Sequence, residues 1–210
     1  MKSKLKVPII LASSSPRRID LLRQVRLEVI VLPPNVDEKI IRGESPARMV
    51  ARLAREKAEA VVALALREYG SALIIAADTT VVAPDGKKIL GKPIDRADAV
   101  KMLSKLTGKV HTVLTGYCVL AVARETDPEL LARVVTSRVK MRKLSPKMIA
   151  QYVESGEPMD KAGSYAAQGL GMALIERITG SYTNVVGLPI AQLLLDLERK
   201  FGISPFGDID

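Results

Sequence analysis

Two short stretches concentrate the side chains that could do chemistry. Ser13-Ser14-Ser15-Pro16-Arg17-Arg18 joins an apolar run, Val7 to Ala12, to a helical pattern with Ile19, Leu21, Leu22 and Val25 as its apolar positions. Pro16 suits the first helical position. Free amides at a helix start attract anions, whereas Arg17 and Arg18 in the first turn oppose the helix dipole by about 0.3–1 kcal/mol each. A bound phosphate would compensate them, with the serine hydroxyls and amides as neutral donors and arginine as a bidentate partner. A serine cap with both arginines turned to solvent or to nearby carboxylates accounts for the same residues. The second stretch is Ile74-Ile75-Ala76-Ala77-Asp78-Thr79-Thr80-Val81-Val82. A carboxylate in so apolar a run is costly unless it meets a cation, a donor network or a metal at the strand's exposed end. Asp78 is therefore the best single catalytic candidate, with bonding to local backbone or threonine hydroxyls as its structural alternative.

Weaker signals surround these two. Gly91-Lys92-Pro93-Ile94-Asp95 could hold Lys92 toward a phosphate while Asp95 caps the next helix. Asp37 and Glu38, in the loop after Pro33-Pro34, could supply oxygen ligands to a metal or simply be solvated. Lys57 stands among apolar helix positions, where a snorkelling surface lysine is the default. The glycine-rich run from Asp160 to Gly171 lacks the spacing of a P-loop; its glycines permit tight turns or the close approach of a ligand. His111 is the sole histidine, so a zinc cluster or a Ser-His-Asp triad lacks its parts and a structural or solvent role remains. Cys118, also alone, lies in an apolar run and reads as a packed small hydrophobe.

Alternating strands and helices must position these residues. Strands are expected at Val7 to Ala12, Glu28 to Leu32, Ala72 to Val82, His111 to Ala123, Ala132 to Leu144 and Met172 to Arg177. A long helix starts at Ser45-Pro46 and runs to Gly70; others follow Pro16, Asp95, Ser145 and Pro189. Pro84-Asp85-Gly86 makes a hairpin toward Lys87 to Leu90, so the pattern predicts an α/β fold with a mixed sheet.

With 210 residues and 48% hydrophobic content, the chain can bury a substantial core as one domain or two lobes sharing one, which excludes a disulfide-held scaffold. The net charge of +9 admits nucleic acid, acidic lipid or a small polyanion as partner. Aromatics are only 3% and not interleaved with basic blocks, which argues against a single-strand stacking platform. The N-terminal apolar run is short and contains Pro8, and no run reaches the roughly 18 residues of a spanning helix, so a soluble cytoplasmic protein without membrane partners is expected.

Taken together, Leu11 to Arg18, Ala77 to Val82, Gly91-Lys92-Pro93, Asp160 to Gly163, Gln168-Gly169-Leu170-Gly171 and Asn184 to Pro189 resemble the successive motifs of the Maf family, across about residues 7 to 195. The resemblance implies one Maf-like domain over residues 1–210, an elongated Maf/ITPase-like mixed β-sheet with flanking helices and two lobes around a central cleft, commonly a homodimer. It implies a house-cleaning nucleoside triphosphate pyrophosphatase that needs a divalent cation, Mg²⁺ or Mn²⁺. By position, Asp78 becomes the acid-base or metal-anchoring carboxylate, Glu38 a metal ligand, and Ser13, Arg17, Lys57 and Lys92 the triphosphate contacts. Arg17, Thr79 and Gln168 match positions associated with substrate choice. Gln168 resembles the branch acting on dTTP and UTP, because a neutral amide offers both a donor and an acceptor to a pyrimidine edge. CTP and modified uridine or thymidine triphosphates are related candidates. Methylated GTP is the alternative substrate, and a nucleic-acid-binding septum regulator the alternative class. One departure from the pattern is Gln24-Val25-Arg26, where the family usually closes the helix with glycine.

Overall fold

A computed structural model of the protein describes residues 7–207. The α/β expectation holds: β1 (Ile9–Ala12), β2 (Ile30–Val31), β3 (Ser71–Val82), β4 (Ile89–Leu90), β5 (Val110–Ala123), β6 (Thr126–Met141) and β7 (Ile175–Thr179) form one sheet in the order β2-β1-β3-β5-β6-β7, with β4 on β3. The sheet is mixed, since β1 runs parallel to β2 and β3, whereas β3/β4 and β6/β7 are antiparallel. The helices are α1 (Pro16–Gln24), α2 (Pro46–Glu59), α3 (Val62–Tyr69), α4 (Arg96–Leu106), α5 (Pro146–Glu154), α6 (Tyr182–Val186) and α7 (Ile190–Phe201). Among the described residues no helix is long and apolar enough to cross a membrane.

By its contacts the chain divides into two compact units. The first comprises the described residues of Met1–Asp78, Gly116–Val134 and Ile190–Asp210. Its core packs Ala54, Ala58, Val61 and Ala65 against Ile10, Ile74, Ala76, Cys118 and Leu120. The small helix residues let α2 lie close on the sheet: a Cβ added at Gly116 would stand 2.4 Å from the Val50 carbonyl oxygen. Cys118 is fully buried and its thiol is pushed up to about 12 by that burial, as befits an inert packed group. The second unit comprises Thr79–Thr115 and Val135–Pro189. Its core joins Leu103 and Leu106 of α4, Ile149, Tyr152 and Val153 of α5, and Val81, Val113, Val139 and Met141 from the strands.

Several boundaries differ from the sequence expectation. The helix read from Ser45 to Gly70 is two, because the Val61 amide closes on the Ala58 carbonyl at 3.3 Å, a tightened 3-10 turn, before Ala65 returns to Val61 at 2.9 Å. Two adjacent β-branched residues, Val61 and Val62, crowd that joint. The second strand shrinks to Ile30–Val31, and β7 starts at Ile175 because residues Gly169–Leu174 form 3-10 turns. Strand β6 begins at Thr126, earlier than its polar start suggests; Pro128 is tolerated because β7 pairs only from Arg138 onward.

The helix end without glycine is resolved in the backbone. Arg26 adopts φ 56°, its amide bonds Arg23 at 3.0 Å, and the Leu27 amide reaches back to Leu22 at 3.0 Å. This is the Schellman closure, with an arginine in the left-handed position that glycine normally fills and Leu27 buried beyond it.

Candidate active site

The parallel pairing of β1 and β3 sets Ala12 opposite Ala76; β1 ends there, whereas β3 runs on two residues to Asp78 and then to Val82. From β1 the chain passes through Ser13 into α1, while Asp78 stands within β3 beside that exit. The carboxyl ends of parallel strands are where open α/β sheets present binding groups, because helix starts and strand ends converge there.

Asp78 is 7% exposed, and the cation that its position demands is Lys57: Nζ donates to Asp78 Oδ1 at 2.7 Å. Lys57 is 6% exposed, which corrects the snorkelling expectation. It lies on the buried stripe of α2 with Val50, Leu53, Ala54 and Ala58, in the last turn, where the helix dipole favours a cation. The same Nζ meets Glu38 Oε1 at 2.6 Å, bringing the loop after β2 onto this pair. Its neighbour Asp37 instead pairs with Lys39 on the surface.

At the start of α1 the two arginines part ways. Arg18, not Arg17, is the buried one; its Nη1 reaches Ser13 Oγ at 3.4 Å, and Ser13 Oγ also accepts the Ser15 amide at 3.1 Å. Burial lowers the guanidinium from its ordinary range; Asp78 opposes that shift, Arg17 adds to it, and Glu38 opposes it. Arg18 therefore belongs to the same electrostatic group as the carboxylates, while Arg17 is half-buried beside it. The signal for Arg18 was present in the doubled arginine, but which of the two turns inward depends on helix phase. Ser15 occupies the N-cap without a side-chain bond to its own helix, unlike Ser45, Asp95 and Ser145, which accept from the amides of Arg48, Asp98 and Met148.

Ser13, Arg18, Glu38, Lys57 and Asp78 thus gather within the first unit, with Arg17 adjoining. Thr79, Lys92 and Gln168 belong to the second unit. Thr79 is half-buried; its hydroxyl shares a 2.9 Å contact with Thr115 Oγ1 and donates to the Gly187 carbonyl at 3.3 Å. The Thr115 hydroxyl donates to the Asn184 carbonyl at 3.0 Å, so the Asn184 to Pro189 motif helps hold Thr79 in place. Lys92 is exposed on the turn whose Gly91 carbonyl accepts the Gly163 amide at 3.0 Å. Gln168 is half-buried and precedes the 3-10 turn Gly169–Leu174. His111 is 1% exposed and bonds Tyr165 Oη at 2.7 Å, the structural role of the two expected for it.

The donor set fits a hard divalent cation. Glu38 and Asp78 aim one oxygen each at a single positive point, now the Lys57 ammonium. Among the described residues there is no group of three or more His, Cys, Asp or Glu side chains that could hold a metal alone. Two carboxylates completed by phosphate oxygens and water is the usual Mg²⁺ arrangement.

Comparison with known proteins points to the family that the motifs resemble. The family model described as "Maf-like protein" matches residues 8–200. A dTTP/UTP pyrophosphatase of Symbiobacterium thermophilum is 50% identical over 94% of this chain and 96% of its own. One of Geobacter sulfurreducens is 48% identical over 91% of this chain and 95% of its own. A solved nucleoside-triphosphatase / dITP/XTP pyrophosphatase of Mycobacterium abscessus superposes only loosely, with a TM-score of 0.39 at 12% identity over 93% of this chain and 97% of that one.

Proposed function

This chain belongs to the Maf family, and on that premise we propose that it hydrolyses dTTP and UTP to the nucleoside monophosphate and pyrophosphate. CTP and modified uridine or thymidine triphosphates are further substrates on this reading, which makes the enzyme a house-cleaner of the nucleotide pool. The observation that carries the proposal is Asp78, a buried carboxylate within β3 just beyond its parallel pairing with β1, held by Lys57 beside Arg18 and Glu38. Full-length relatives of 48–50% identity named for this activity support it.

In the proposed mechanism Ser13, the α1 amides, Arg17, Lys57 and Lys92 bind the triphosphate, with Arg18 as an additional charge at the start of α1. Glu38 and Asp78 would hold a Mg²⁺ or Mn²⁺ ion, whose chemistry when bound is to neutralise phosphate oxygens and acidify water. Asp78 serves as the acid-base or metal-anchoring carboxylate. Lys57 orients Asp78 and places positive charge where the departing pyrophosphate becomes more negative. Gln168 offers an amide donor and acceptor to the pyrimidine edge, and the Thr79 hydroxyl, oriented by Thr115, adds a second polar contact. The same family reading carries a homodimer in the cytoplasm, for which sedimentation of the purified protein is the first test.

A panel of dTTP, UTP, CTP, methylated GTP and ITP with Mg²⁺ or Mn²⁺, with products identified, tests the reaction. Monophosphate plus pyrophosphate from dTTP and UTP is expected, and Asp78→Asn should nearly abolish it. Absence of pyrophosphate, or full turnover by the Asn variant, would sink the proposal.

A further inference from the structure

The run Gln168-Gly169-Leu170-Gly171 turns around a carboxylate of this chain. Glu157 Oε1 accepts the Tyr152 hydroxyl at 2.8 Å and the Gly171 amide at 2.8 Å, and Oε2 accepts the Leu170 amide at 2.9 Å. Gly169 has φ 62°, and a Cβ there would stand 2.4 Å from Glu157 Oε2. A Cβ on Gly171 would stand 2.2 Å from the Ala166 carbonyl oxygen and 2.8 Å from Tyr152 Oη. A side chain at Gly169 would displace the Glu157 carboxylate from these amides, and one at Gly171 would run into the Ala166 backbone.

The backbone before Gln168 is tied as firmly. Tyr152 Oη accepts the Ala166 amide at 3.1 Å, and the Tyr182 hydroxyl donates to the Ala167 carbonyl at 3.1 Å. Glu157 is spent on this loop and on Tyr152 of α5: its carboxylate has no cationic partner among the described residues, and Lys161 Nζ bonds the Glu157 backbone carbonyl at 2.7 Å instead. Between the two sets of ties lies Gln168, whose side chain makes no capping hydrogen bond to the turn that follows it. A flexible glutamine on a backbone held on both sides is pre-organised for a ligand, since the ordering cost of its main chain is met on folding.

We propose that Glu157 is a positioning residue for base selection, acting by fixing the Ala166 to Gly171 loop and through it the Gln168 amide. The proposal rests on the reading of Gln168 as the base-contacting residue. Glu157→Gln keeps the shape and the Oε1 acceptor but sets an amide donor against the Leu170 N–H. KM for UTP should rise about tenfold and the preference for UTP over GTP fall about tenfold, while kcat for UTP stays within about twofold. A merely structural role would lower the folded fraction and scale the rates for all nucleotides together. Tyr152→Phe, which removes the phenol bridging Glu157 and Ala166, should shift selectivity in the same direction and decides the matter if the Gln variant does not fold. In a double-mutant cycle, Glu157→Gln with Gln168→Ala should be no less selective than Gln168→Ala alone. If Gln168→Ala loses the preference while Glu157→Gln keeps it, or if the losses add, the positioning role is overturned and the base-contact reading stands. If Gln168→Ala itself keeps the preference, that reading falls and takes the positioning role with it.

Discussion

Replacing Lys57 by methionine removes the ammonium and leaves most of its stem in place, so the loss falls on charge and not on packing. Asp78 Oδ1, 2.7 Å from Nζ in the native protein, becomes a buried anion without its hydrogen-bonded cation. Removing one partner of a buried pair costs about 3–5 kcal/mol for this reason. Arg18 is close enough to Asp78 to sense its charge, and the Glu38 side chain, 54% exposed, can turn to water. The lower end of that range, about 3 kcal/mol, is therefore expected. Asp78→Asn leaves Lys57 with Glu38 and an amide acceptor, and should cost about 1–2 kcal/mol. Because both variants break the same contact, the double variant should be less destabilised than their sum by about 1–2 kcal/mol. Guanidinium unfolding followed by two optical probes measures this, the second probe being needed because the chain divides into two compact units. Turnover measured below all melting temperatures should be lost in the double variant even where its stability exceeds that of Lys57→Met. A Lys57→Met protein within about 0.5 kcal/mol of the parent, or strict additivity in the cycle, would refute the buried-pair account.

Three further outcomes follow from particular contacts. Gly116→Ala would place a Cβ 2.4 Å from the Val50 carbonyl oxygen, so α2 must retreat. A loss of about 1–3 kcal/mol is expected, with reduced turnover because Lys57 rides on the same helix; unchanged melting would contradict the packing. Arg26→Gly relieves a non-glycine residue at φ 56° and should raise stability by about 1 kcal/mol, read as a higher denaturant midpoint at constant slope. His111 has its pKa lowered by burial to about 4, below the unfolded value, so the unfolded chain takes up the proton first as pH falls. Its stabilising contribution is whole above about pH 6.5 and is lost toward pH 4, an effect of about 3 kcal/mol, and His111→Gln should flatten that limb of the stability curve. An equally steep limb in the variant would assign the pH dependence to other groups.

Much of the scaffold was legible because its cues are local. Ser45, Asp95 and Ser145 cap the helices they were expected to cap, since a side-chain oxygen three residues from an orphan amide needs only short-range geometry. The apolar run around Asp78 announced a buried strand carrying one costly charge. The break at Ala60 and Val61, the short α6 and the polar start of β6 were not legible, because packing outweighs weak propensity in each.

At the site the division is sharper. The sequence by itself determined that Asp78 needs a partner, that the two arginines at a helix start meet an anion, nearby carboxylates or solvent, and that the glycines after Gln168 serve a tight turn or a close approach. Only the tertiary structure decided that the partner is Lys57, 21 residues away, that Arg18 and not Arg17 turns inward, and that Gly169 closes on Glu157 and Gly171 on the Ala166 backbone. Periodicity and capping are set by covalent neighbours. Which charges meet is set by sheet register and helix phase, which are fixed only when the whole core packs.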